Sequence, residues 1–248
     1  MHRLFAYRKG ILKPVPAIWD GSAAARAPKP TVLTFTGAGG KTTSLYALAQ
    51  FLADQGRRVL ILTTTHMQAP KRWGVYSGSL EDVERQLQKE GIAVAGTLGS
   101  AGKISYIGDH LYRLAGPLAD VVLVEGDGSK RLPLKAMACH EPVVPPDTAQ
   151  IYCLAGLCAL GQAVKDGCFR CALTGLPPDA VLTEALFARI FYGQCLQVLY
   201  TRYPSVPVVP VLQQADTAER IAAARRIFAF LGISCGLITS YAAERREP

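Results

Sequence analysis

The run Thr36-Gly37-Ala38-Gly39-Gly40-Lys41-Thr42-Thr43 leaves few folds open to this chain, because an apolar strand pattern leads into it and an amphipathic helix pattern leaves it. Val32, Leu33 and Phe35 read as a buried strand, and Leu45, Leu48, Ala49 and Leu52 recur at helical spacing until Gly56. A glycine-rich turn in that context reads as a phosphate-binding loop. Gly37, Ala38, Gly39 and Gly40 let the backbone turn with several N–H groups pointing inward. The helix start at Lys41, Thr42 and Thr43 adds its partial positive charge to the cradle. Lys41 is expected to reach the β- and γ-phosphates of a nucleoside triphosphate, ATP or GTP, and the Thr42 hydroxyl to ligate Mg²⁺. As a loop lysine, Lys41 is expected to face solvent and to serve the ligand rather than the core.

The common phosphate-loop pattern has a glycine five residues before Gly40, where this chain has Phe35. The glycine has in effect moved to Gly37. The T-G-x-x-G-K-T-T form resembles the shorter loop of the Mur-type amide ligases. An ATP-dependent ligase is therefore an alternative, although no segment is long enough to supply the extra ligase domain.

A second chemical cluster is Val121-Val122-Leu123-Val124-Glu125-Gly126-Asp127-Gly128-Ser129. Four apolar residues running into a carboxylate describe a strand lying beside the first one and aiming its acid at the metal. Glu125 is expected to share Mg²⁺ with Thr42. Asp127 follows where glycines allow a sharp turn, and is expected to orient a water or support the metal shell. Lys41, Glu125 and Asp127 form the candidate catalytic set. Beyond them, Lys130, Arg131, Lys135 and His140 make a basic loop. Thr65 and His66 end the Thr63-Thr64-Thr65-His66 run, which is expected to close a strand facing the nucleotide crevice. These six residues are the candidate contacts to a second substrate.

Composition narrows the partners. The 248 residues are 50% hydrophobic and 19% charged, enough apolar matter for a sizeable core. The formal charge of +8 is dispersed, without a basic arm or interleaved aromatic residues, so nucleic acid is not an expected partner. No apolar stretch is long enough to span a membrane, and Arg8 and Lys9 interrupt the apolar patch near the N-terminus, so a cytoplasmic protein is expected. Seven scattered cysteines suit reduced core thiols better than a disulfide framework. Cys168-Phe169-Arg170-Cys171 is a lone C-x-x-C, a weak zinc signal even with Cys153 and Cys158 upstream.

Residues 1–30 read as an N-terminal extension, and the core is expected to begin near Thr31. Arg58 to Thr64 predicts a second strand, Leu80 to Glu90 a helix, and Ile92–Ala95 and Lys103–Ile107 short strands. This alternation predicts an α/β protein of three layers, P-loop NTPase-like, with a mostly parallel doubly wound sheet. Residues 31–248 form one domain with insertions, ligands lying at the C-terminal strand ends.

TGAGGKTT, the TTTH strand end and EGDGSKRLPLKAMACHEPVVP together resemble the selenium-dependent molybdenum hydroxylase accessory family, the YqeC-type proteins, from about Thr31 to Tyr241. The resemblance implies a nucleotide-binding protein acting in maturation of a selenium-containing cofactor, with a molybdenum hydroxylase or its cofactor as partner. A nucleotide-gated delivery protein with little turnover is the third reading. Two segments depart from the family pattern. Cys168-Phe169-Arg170-Cys171 stands where a His-Arg pair is usual, and Gln213-Gln214-Ala215-Asp216 stands where an Asn-Lys-x-Asp-like run would resemble a guanine reader. Asp216-Thr217-Ala218-Glu219 also reads as a capping-box start to the helix carrying Ile221, Ala224, Phe228 and Leu231, with Asp216 as the cap.

Overall fold

A computed structural model describes residues 3–19 and 30–241. Strands β1 (Arg3–Arg8) and β2 (Ile11–Pro14) precede β3 (Thr31–Gly37), which feeds helix α1 (Lys41–Ala53). Next come β4 (Val59–Thr63), β5 (His66–Gln68), β6 (Gly74–Val75), α2 (Leu80–Glu90), β7 (Ile92–Ala95), β8 (Thr97–Leu98), β9 (Lys103–Ser105) and α3 (Asp109–Ala115). The second half holds β10 (Val121–Glu125), β11 (Leu134–Lys135), β12 (Thr148–Gly156), α4 (Val164–Gly167), β13 (Cys168–Phe169), α5 (Glu184–Phe191) and α6 (Gln197–Arg202). A π-helical turn, Tyr192–Leu196, joins those two helices; β14 (Val208–Gln213), α7 (Ala218–Phe230) and β15 (Cys235–Ser240) complete the order.

Ten strands form one sheet in the order β2-β1-β15-β14-β12-β3-β10-β4-β7-β6. From β15 to β6 every neighbour is parallel, and only β1 and β2 run antiparallel. Parallel strands covered on both faces need continuous apolar sequence, which Val59–Thr63, Ile92–Ala95 and Val121–Glu125 supply with every residue buried. Alternate residues then serve opposite layers. Val121 and Leu123 pack with Leu45, Leu48 and Leu52 of α1, whereas Val122 and Val124 pack with Val83 and Leu87 of α2. A third cluster sets Ile151, Cys153 and Ala155 of β12 against α5 and α7. Each leucine so buried contributes roughly 1.5–3 kcal/mol.

The predicted second helix has its predicted bounds because both ends are signalled locally. Ser79 accepts the Asp82 N–H at the start, and Gly91, at φ 72°, stops it in the left-handed region. Elsewhere the structure differs from expectation. The stretch read as an extension supplies two strands: Arg3 to Arg8 pair with Ser240 to Cys235, and Leu4, Tyr7, Ile18 and Trp19 are buried. The core thus begins at Leu4 instead of near Thr31. Thr63 ends β4, and His66 starts a strand of a separate small sheet, β5-β9-β8, in which β9 ends at Ser105. Thr217, not Asp216, caps α7 by accepting the Arg220 N–H.

Candidate phosphate-binding site

All parallel strands end at one edge of the sheet, so Gly37, Glu125, Thr63, Gly156 and Gln213 are brought to the same side. The turn after β3 enters α1 through Gly40, at φ 117°. A Cβ on Gly37 would lie 2.2 Å from the backbone oxygen of Leu154, so that position needs glycine for space as well as for backbone angle, whereas Gly40 needs it for backbone angle, a Cβ there meeting only the end of the Gln213 side chain. Gln213 Nε2 donates to Ser44 Oγ, which donates to Gly40 O at 3.1 Å. Gln213 is therefore a buried strut beneath the loop, and it does not stand in the supporting place of a base reader.

The amides divide into two groups. Gly37 N–H donates to Asp127 Oδ2 (2.9 Å), Ala38 N–H to Leu154 O (2.8 Å) and Gly39 N–H to Leu132 O (3.3 Å). Those three shape the loop instead of pointing inward together, which corrects the expectation for Gly37, Ala38 and Gly39. The helix start has no side-chain cap and no acid in its first turn. The N–H groups of Gly40, Lys41, Thr42 and Thr43, which have no intrahelical acceptor, are the ones suited to an anion.

Behind the loop lies a chain of alternating charges. Lys41 Nζ donates to Gly37 O at 2.6 Å and pairs with Asp127 Oδ1 at 3.2 Å; with only 4% of the residue exposed, it does not face solvent as its sequence position implied. Burial works to lower its pKa, but the carboxylates of Asp127 and Glu125 outweigh that and hold it above the ordinary lysine value. Asp127, fully buried, also accepts from Lys135 Nζ (3.0 Å). Lys135 is fully buried too, and donates further to Gly128 O and Glu141 Oε2, each at 2.8 Å. Arg170 closes the chain on Glu141. For Glu141, burial works upward, but Lys135 and then Arg170 outweigh it and hold the carboxyl below its usual range. Asp127 is thus a buried anchor for two lysines and the loop backbone, a placement closer to support of the metal shell than to orientation of a water, the two roles expected of it.

Glu125 ends β10 between β3 and β4, level with Phe35 and Thr63. Its Oε2 accepts from Thr42 Oγ1 at 2.8 Å, so the two expected metal ligands adjoin. Burial pushes the Glu125 carboxyl up, opposed by Lys41 and the Thr42 hydrogen bond. Two adjacent hard oxygens, one on a carboxylate poorly solvated by the protein, fit Mg²⁺, which takes few protein ligands and fills its shell with phosphate and water.

The remaining candidates are spread more widely. Lys130, Arg131, His140 and His66 are exposed, and Thr65 is half-buried with its Oγ1 making no hydrogen bond among the described residues. Residues not among the candidates also enter the site: Glu141 and Arg170 complete the charge chain, and Tyr46 carries a buried hydroxyl without a hydrogen-bond partner among the described residues. Burial, then the Glu125 charge, pushes the Tyr46 phenol up. Helical spacing marks Tyr46 only as a residue of α1, so no sequence signal singled it out. Among the described residues, no group of three or more His, Cys, Asp or Glu is placed to hold a metal. The Cys168 thiol, buried, is pushed up to about 12, which keeps it protonated. Among the described residues, no helix is long and apolar enough to cross a membrane.

A model of the YqeC protein family matches residues 33–172, a span that includes the loop, both acids and Arg170. The YqeC protein of Escherichia coli (strain K12) is 35% identical over 185 residues, 70% of this chain and 71% of that protein. Among solved structures, HypB from Helicobacter pylori in complex with nickel aligns over 80% of this chain and 85% of that one, at 17% identity and a TM-score of 0.30. That similarity is too low to bear on function.

Proposed function

We propose, for a chain that belongs to the YqeC family, that it binds a Mg²⁺-nucleoside triphosphate at Gly37–Thr43 and couples hydrolysis or phosphoryl transfer to maturation of a selenium-containing cofactor of molybdenum hydroxylases. One observation carries the nucleotide part: an uncapped helix start, its lysine and the Thr42–Glu125 oxygen pair converge at one end of a parallel sheet. The cofactor-maturation part rests on the resemblance of the EGDGSKRLPLK segment. In this reading the amides of Gly40 to Thr43 bind phosphate oxygens, and Lys41 turns from Gly37 O and Asp127 toward them. Glu125 and Thr42 hold the metal, whose charge offsets that of the phosphates. Such a site acts by positioning and electrostatics.

Glu125→Gln keeps the side chain's shape and removes its charge. It is expected to weaken Mg²⁺-dependent binding of ATP at least tenfold while changing metal-free binding less than twofold, measured by calorimetry with and without Mg²⁺. Equal effects under both conditions would reassign Glu125 to a structural role.

Base selectivity is expected to be modest. Gln213 is committed to the loop, Gln214 Oε1 takes the Cys158 thiol (2.7 Å), and Asp216 takes the Ser240 hydroxyl (2.6 Å) with Arg220 3.7 Å away. Sites that lack dedicated polar partners lose most of their discrimination. ATP and GTP are expected to compete for one fluorescent nucleotide within about tenfold, or roughly 1.4 kcal/mol. A GTP advantage of several hundredfold would mean that Asp216 exchanges Ser240 for the base.

The hold of Gly37 O and Asp127 on Lys41 also favours a second reading, a nucleotide-gated delivery protein. Phosphate release measured alone and with a molybdenum hydroxylase separates the two, since a gated carrier binds nucleotide with little turnover under either condition.

A further inference from the structure

We propose that the Ser129–Leu132 turn, together with Arg170, binds the phosphate group of a second substrate beside the nucleotide; this rests on the reading of Gly37–Thr43 as the nucleotide site. Leu132 N–H donates to Ser129 O at 2.9 Å, closing a four-residue turn whose central residues, Lys130 (φ 47°) and Arg131 (φ 65°), both lie in the left-handed region. Turns of that kind ordinarily carry Asn-Gly, because a Cβ is strained there. Here two long cationic side chains occupy both places and stay exposed, so core packing does not account for them. Arg170 is a third basic residue with positive φ, at 58°. Backbone strain of this kind gathers where function holds it.

The three are not scattered. Leu132 O accepts from Gly39 N–H (3.3 Å) and Pro133 O from Gly156 N–H (2.7 Å), which fixes the turn against the phosphate loop. Lys130 Nζ lies 5.6 Å and Arg170 Cζ 4.8 Å from the centre of the Phe169 ring, which therefore draws the turn and Arg170 together. Lys135 is matched by Asp127 and Glu141, and Arg170 by Glu141. Among the described residues, no carboxylate pairs with Lys130 or Arg131. Lys41, Lys130, Arg131, Lys135 and Arg170 face Glu125, Asp127 and Glu141, and the uncompensated charge sits on the solvent side, at the turn. An ammonium and two guanidinium forks suit a phosphate monoester, which offers several oxygens and about two negative charges.

Lys130→Asn combined with Arg131→Gly tests this, because Asn-Gly suits the turn and preserves the fold. The thermal midpoint is expected to rise by about 3 °C through relief of strain. A purely structural role for the two cations predicts a fall. Inorganic phosphate titrated into protein saturated with Mg²⁺ and a non-hydrolysable ATP analogue is expected to find one further site in the native protein, weakened at least tenfold in the double variant, with analogue affinity changed less than threefold. Absence of that further site, equal phosphate affinity in both proteins, or an equal loss of analogue binding would overturn the proposal. If the native protein binds no analogue, the nucleotide reading itself fails. Phosphate titrated into Lys41→Ala protein, with and without the turn substitutions, then tests the turn alone: a tenfold difference supports it and equality overturns it.

Discussion

Replacement of Lys135 by methionine is expected to lower the free energy of unfolding by about 3 kcal/mol, the cost of leaving buried charge uncompensated. Lys135 is fully buried and holds Asp127, Glu141 and Gly128 O together, and among the described residues no other bridges those carboxylates. Methionine keeps most of the length and loses the charge. Asp127 retains Lys41 and Glu141 retains Arg170, which places the effect at the lower end for a broken buried pair. Urea denaturation measures it. Adding Glu141→Gln to Lys135→Met is expected to recover part of the loss, because one orphaned charge is then removed. A loss under about 1 kcal/mol would mean that water reaches Asp127 once the lysine is gone.

Lys41→Ala is expected to weaken Mg²⁺-ATP binding at least 100-fold, about 2.7 kcal/mol, because the lysine is the cation nearest the uncapped helix start. The structure adds a consequence that the loop position alone did not carry. Lys41 is buried against Asp127, so its removal also costs stability, though less than loss of Lys135, which remains to neutralise the aspartate. Calorimetry measures the first effect and thermal melting the second. Unchanged nucleotide affinity would sink the phosphate-loop assignment, and an unchanged melting temperature would show that the Lys41–Asp127 pair contributes nothing to folding.

These two lysines mark the boundary of what was legible. Lys41 was found because its chemistry is written in contiguous residues, a strand, a glycine turn and a helix start, each recognisable by local periodicity and backbone freedom. Its burial was not legible, since that depends on Asp127 arriving just after β10 and on Leu154 and Gln213 packing against the loop. Lys135 was legible only as one basic residue among four in a polar segment. It is instead fully buried, because Asp127, Glu141 and the Phe169 ring surround it from three segments. Glu141 and Arg170 stood inside segments singled out for other reasons, and neither was read as part of the site.

The same division holds for the fold. Helix α2 had its bounds in the sequence because a serine cap and a left-handed glycine act within a few residues of the helix they delimit. The apolar runs of β3, β4, β7 and β10 likewise announced a sheet buried on both faces. Strand β1 was invisible, since its partner β15 lies at the opposite end of the chain and pairing at that distance leaves no periodic mark. Glu125 and Thr42 illustrate both parts: residue type and strand context alone singled out an acid and a hydroxyl as candidates for one site. Only tertiary structure decided that they lie 2.8 Å apart, and that the neighbouring Asp127 is sealed between two lysines. Local backbone physics is encoded by adjacent residues, whereas the compensation of buried charge is settled by whichever segments the completed sheet brings together.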